Sequence, residues 1–285
     1  MGYADGTLEA SGLALRVRTG RLVDRFRDRL MLAMRDQEGQ VIGFEGRAPH
    51  DAPDATPKYL NSPTTSIYSK GEHLFGAFEA SEPLAAGAVR VITEGPLDAL
   101  AVGLAATNTH APLALCGTAL TLNQVDELAR LTPNGKVVVA LDADAAGRDA
   151  ADIAYFALRQ QGFTPLLADL PPGNDPADVL AAHGPVRLSS ALGDRATPLV
   201  DALVERRIGD FHERLRWVEG QVAAVRAVAP LVASCDPAHR HGLTQQVAQW
   251  TGVSATVATL EIARHRSSGR WPCPGSSAIN RSAAR

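Results

Sequence analysis

Three acids at the ends of two apolar runs are the residues of this chain best suited to chemistry. Val89-Arg90-Val91-Ile92-Thr93 leads into Glu94, and Val137-Val138-Val139-Ala140-Leu141 leads into Asp142-Ala143-Asp144. Each run is short and rich in β-branched residues, the pattern of a buried strand in a parallel sheet. Open α/β sheets bind their ligands outside the carboxyl ends of such strands. Glu94, Asp142 and Asp144 are therefore expected to converge at one sheet edge. Carboxylates brought together repel one another unless a cation neutralises them, and hard oxygen donors suit Mg²⁺ or Mn²⁺. The layout predicts a metal-dependent phosphoryl-transfer site. Asp98 follows Glu94 by about one helical turn, so it can face the same site.

The elements that must position these acids alternate. Strands are expected at Val89–Thr93, Leu113–Cys116, Lys136–Leu141 and Thr164–Asp169. Helices are expected between them at Leu97–Ala106, Asn123–Leu131 and Arg148–Gln161, with another at Asp178–His183 before Gly184-Pro185. Such alternation implies a parallel sheet flanked by helices. Upstream, Leu30–Met34 and Val41–Phe44 read as a hairpin around Asp36-Gln37-Glu38-Gly39. Tyr68 to Ala80 reads as a turn and a helix, and the stretch from Glu82 to Gly87, with Pro83, as a connection between subdomains. Downstream, helical periodicity covers Val200–Phe211, Arg214–Ala233, Ala238–Thr251 and Ser254–Arg264. Val222, Val225, Leu231, Val247 and Val257 are expected inside this region. The fold class is thus α/β, with an α+β basic subdomain before the sheet and a small helical region after it. The expected divisions are 1–85, 86–190 and 198–264, with a disordered tail over 266–285, which is rich in Ser, Gly, Pro and Arg.

The chain has 285 residues and a formal net charge of -3, enough for one large or two modest domains. It lacks a secretory leader pattern and any apolar run long enough to span a bilayer. Cys116, Cys235 and Cys273 are scattered without zinc-ligand spacing, which fits a cytoplasmic protein. The positive charge is concentrated early, at Arg16, Arg18, Arg21, Arg25, Arg27, Arg29, Arg35 and Arg47, followed by Lys58 and Lys70. A basic front beside an acidic site suits a nucleic-acid substrate; a solvated charged surface is the alternative. Arg25, Arg27 and Arg29 would share one face if that segment were a strand.

Several ordered motifs carry a resemblance. They are Asp24-Arg25-Phe26-Arg27-Asp28-Arg29-Leu30-Met31, Val41-Ile42-Gly43-Phe44-Glu45-Gly46-Arg47, and Thr56-Pro57-Lys58-Tyr59-Leu60-Asn61-Ser62-Pro63. Lys70-Gly71, Leu74-Phe75-Gly76, Glu94-Gly95-Pro96-Leu97-Asp98 and Gly117-Thr118-Ala119-Leu120-Thr121 follow, then Asp142 to Ala151 and Asp175-Pro176. Together, over roughly residues 1–185, they resemble the RNA polymerase domain of DnaG-type bacterial primases, with its TOPRIM subdomain. The resemblance implies that the chain starts inside that domain, without the family's N-terminal zinc-binding domain.

It also implies roles. Glu94 would be the central catalytic glutamate, and Asp142 and Asp144 the catalytic metal pair. Asp98, Asp175 and Asp178 join them as candidate metal ligands; Ala177 stands where many members carry an acid. Arg25, Arg27, Arg47, Lys58 and Lys70 would contact nucleotide or template. The implied activity is nucleotidyl transfer with Mg²⁺ or Mn²⁺, making short RNA primers on single-stranded DNA from ribonucleoside triphosphates. A replicative helicase is a further candidate partner, and no membrane is involved. A TOPRIM nuclease and a non-catalytic DNA-binding primase-like protein remain as alternatives.

Overall fold

The computed structural model describes residues 2–53, 55–117, 119–141 and 148–266. The front part begins with α1 (Asp5–Ala10) and an antiparallel pair, β1 (Ala14–Arg16) with β2 (Leu22–Asp24). A three-stranded antiparallel sheet follows: β3 (Leu30–Arg35), β4 (Val41–Arg47) and β5 (Tyr59–Asn61), with β4 in the middle. Local chemistry makes the hairpin. Asp36 Oδ1 accepts from the Glu38 and Gln40 N–H groups at 3.1 and 2.8 Å. Gly39 closes the turn at φ 84°, where other residues are strained. The register of β4 on β5 sets Glu45 opposite Asn61 and Arg47 opposite Tyr59.

Residues 25–29 are not a strand. Asp28 takes a left-handed φ of 51°, which breaks the extended run. Arg25 instead donates to the Asn61 carbonyl, and Arg29 to the carbonyls of Gly46 and Pro57. The connection expected at Glu82–Gly87 is shorter than its sequence suggests, because α2 (Ala77–Ala85) runs through Pro83. Proline there forfeits one bond in the last turn, while Ala80 and Leu84 are buried in the core.

The main sheet has the order β10-β9-β8-β6-β7. Its parallel strands are β6 (Val89–Thr93), β7 (His110–Ala114), β8 (Gly135–Ala140) and β9 (Phe163–Leu167); β10 (Thr197–Pro198) adds an antiparallel edge. The helices between them are α3 (Pro96–Ala105), α4 (Leu122–Leu131), α5 (Arg148–Gln160) and α6 (Pro176–Leu192). β7 lies earlier than the expected Leu113–Cys116. Pro112 is tolerated because β7 is an edge strand, and Cys116 has a left-handed φ of 52°. The span α6 holds two helical segments. Gly184, at φ 78° and ψ 175°, is non-helical, so the first segment ends at the expected place, and the second, from Pro185, buries Leu188, Ala191 and Leu192.

Four α-helices and one 3-10 turn (His212–Arg214) complete the described chain: α7 (Leu199–Gly209), α8 (Val218–Ser234), α9 (Pro237–Thr251) and α10 (Ala255–Arg266). Val225, Leu231 and Val247 are fully buried and Val222 is half-buried, but Val257 is 36% exposed. In α10 the inward positions are Ala258 and Ile262, four apart, and Val257 falls beside that stripe. Val225, Leu231, Val247, Ala258 and Ile262 share one core with Tyr155, Leu158 and Phe163 beneath the sheet. An Arg207–Asp152 ion pair also ties α7 to α5. Leu231→Ala should therefore cost about 3 kcal/mol. In urea the helical and sheet signals should fall together; loss of the helical signal alone would contradict the shared core. No helix among the described residues is long and apolar enough to cross a membrane.

Candidate active site and nucleic-acid interface

The strand order places the site. From β6 the chain moves to β7 on one side and then crosses to β8 on the other, so the carboxyl ends of β6 and β8 flank a topological switch point. Thr93 pairs with Ala140, the last residues of the two strands. Glu94 is the next residue after Thr93 and is half-buried. Asp142 and Asp144 follow β8 in sequence but lie outside the described residues, as does Thr118. The side chain of Arg148 is likewise not described.

A cavity of about 350 Å³ opens at this point. Its acidic wall carries Glu94, Asp98 and Asp175. Its basic wall carries Lys58 and Lys70, with Tyr59, Asn61 and Glu45 between them. Five of the sequence-predicted site residues thus share one cavity. Arg47 lies just behind, bonded to the Tyr59 hydroxyl, with its guanidinium 5.2 Å from the ring centroid. Arg25 and Arg27 line a different cavity with Arg29, Thr56 and Pro57. Asp178 is exposed and does not line the acidic cavity; the helix cap is Asp175, whose Oδ1 accepts from the Asp178 N–H at 2.7 Å.

Asp98 is 7% exposed at the first turn of α3. It accepts from the Gly95 N–H at 3.3 Å and the Ala177 N–H at 3.4 Å. Burial, then the neighbouring Asp175 carboxylate, pushes its pKa up to about 7. Burial likewise raises Glu45 and Tyr59, and holds the Cys116 thiol well above its usual range, so that cysteine is no nucleophile. Two crowded carboxylates that resist carrying charge together are a donor set suited to a hard cation, which would neutralise them. Among the described residues alone, no group of three or more His, Cys, Asp and Glu is arranged to hold a metal.

The Asp98 shift has a measurable consequence. An acid whose folded pKa is raised contributes stability that is full below its unfolded pKa near 3.8 and is lost as pH rises through about 7. In EDTA, Asp98→Asn should be more stable than the parent by about 1–2 kcal/mol at pH 8, and no more stable at pH 4. Urea unfolding at both pH values checks this, and equal stability at pH 8 would contradict the buried charge.

Glu45, Asn61, Tyr59 and Cys116 line the cavity without having been assigned roles from the sequence. One signal for Glu45 was present: an acid following the apolar run Val41–Phe44, between Gly43 and Gly46.

The fold and its cavity define a Toprim-like α/β protein with a basic lobe set against the acidic strand ends. Residues 91–180 match the Toprim-like family, residues 1–81 the N-terminal domain of the DNA primase catalytic core, and residues 215–256 the DnaB-helicase binding domain of primase. The DNA primase of Streptomyces coelicolor is 34% identical over 96% of this chain and 43% of its own length. The RNA polymerase domain of Mycobacterium tuberculosis primase DnaG is 33% identical, with a TM-score of 0.71 over 87% of this chain and 79% of that one. A DnaG primase catalytic domain bound to single-stranded DNA is 30% identical, with a TM-score of 0.68 over 88% of this chain and 77% of that one. The chain belongs to the DnaG-type DNA primase family. It spans about two fifths of the length of the curated relatives it matches.

Proposed function

We propose that this chain is the nucleotidyl-transferring part of a primase, adding ribonucleotides to a short RNA primer on single-stranded DNA. The observation that carries the reading is one cavity with acids from the β6 end and α6 on one wall and two lysines on the other. Glu94, Asp98 and Asp175, with Asp142 and Asp144, would hold Mg²⁺ or Mn²⁺. Metal at such a site supplies activation of the primer 3′-hydroxyl and neutralisation of charge on the leaving pyrophosphate.

The chain's own residues do the rest. Lys58 and Lys70 would meet phosphate oxygens as compact cations. Arg47 and Lys58 bracket Tyr59, whose ring leaves both cations beside the cavity. Asp175 caps α6 and so keeps a carboxylate at the cavity with its backbone fixed. Arg25 and Arg27, in the neighbouring basic cavity, would track the template backbone. The match to a DnaB-helicase binding domain supports a helicase partner acting on residues 215–256, and a cytoplasmic location accords with this reading. The division into 1–85, 86–190 and 198–264 is proposed on the same grounds. Primer synthesis on single-stranded DNA with Mg²⁺ or Mn²⁺, compared with Glu94→Gln, tests the proposal. Equal product from the two proteins would end it.

A further inference from the structure

The basic wall holds a buried carboxylate that nucleotide transfer does not call for. Glu45 is 3% exposed on β4, opposite Asn61 in the β4–β5 register. The Asn61 amide, oriented to satisfy both neighbours, donates to Glu45 Oε2 at 2.7 Å and accepts from Lys70 Nζ at 3.3 Å. Glu45 also lies beside the Cys116 thiol. The Cys116 N–H in turn donates to the Glu94 carbonyl at 3.0 Å. Asn61 thus links the Glu45 carboxylate to the Lys70 ammonium, next to the backbone contact between Cys116 and Glu94.

Lysine is scarce here: the chain contains only Lys58, Lys70 and Lys136, and the first two line this cavity. Lys70 is an exposed flexible side chain, so its ammonium faces the cavity only if something holds it. We propose that Glu45 is a positioning residue which, through Asn61, holds the Lys70 ammonium toward bound nucleotide phosphate. This rests on the nucleotide-transfer reading above. A burial cost of this size is otherwise hard to rationalise, because a carboxylate taken from water needs donors built around it.

Steady-state transfer and lysine NMR on the full chain test the idea together. Glu45→Ala and Asn61→Ala should each raise KM for the ribonucleotide about tenfold, with kcat changed less than about threefold. The double variant should be no worse than either single, since both act through one contact. Glu45→Gln still accepts from Asn61 and should keep KM within about threefold of the parent. Reductive ¹³C-methylation labels the three lysines, and Lys70→Arg assigns its signal. That signal should move toward the exposed-lysine position in Glu45→Ala and Asn61→Ala, but not in Glu45→Gln. An unmoved Lys70 signal, additive losses, or an altered kcat and melting temperature with KM unchanged would each overturn the proposal. If the parent transfers no nucleotide, the primase reading fails, and the Lys70 signal by itself still decides whether Glu45 positions it.

Discussion

Glu94→Gln, Asp142→Asn and Asp144→Asn should each reduce metal-dependent nucleotide transfer by at least about 10²-fold. A neutral amide holds a hard cation poorly, and charge developing on the transferred phosphate loses its partner. Stability without metal should not suffer, because removing one of several mutually repelling carboxylates relieves repulsion. Single-stranded DNA binding should persist, since the basic side chains proposed for it, among them the arginines of the second cavity, are left intact. Transfer assays, melting curves in EDTA and DNA titrations separate these effects. A parent chain that binds DNA but transfers no nucleotide, even to a pre-annealed primer, would favour the non-catalytic alternative. Parental transfer by Asp142→Asn would remove that residue from the metal set.

Replacing Lys58 and Lys70 together by methionine should lower transfer about 100-fold, because each charge-assisted bond to phosphate contributes about 1.5–3 kcal/mol and part is recovered by water. The salt dependence of DNA binding tells which phosphates they meet. If both contact the template, the slope of log K against log salt should become shallower by about 1.4, at roughly 0.7 per single-strand contact. An unchanged slope with lost transfer assigns them to the nucleotide. Unchanged transfer would remove both lysines from the site. The same replacement leaves Glu45 buried beside a lost cation, so its carboxyl should rise further from the ordinary range.

The sequence by itself determined the alternating strand–helix order, and it put Glu94 directly after a buried strand. Both follow from local signals, an apolar β-branched run and the acid that ends it, and β6 lies at the residues those signals mark. The ordered motifs also carried the family. Local signals held at Gly184, whose non-helical backbone separates two helical segments, and misled at Pro83, which stays within α2 beside buried Ala80 and Leu84. They misled again at Arg25–Arg29, where guanidiniums bind main-chain carbonyls that are distant in sequence. Only the tertiary structure decided which charges share a cavity. Strand order puts Asp98 against Asp175, and the β4–β5 register puts Glu45 against Asn61. Neither pairing has a sequence period, because each depends on segments brought together by sheet crossover and strand register, and a one-residue slip of register would turn Glu45 to the opposite face.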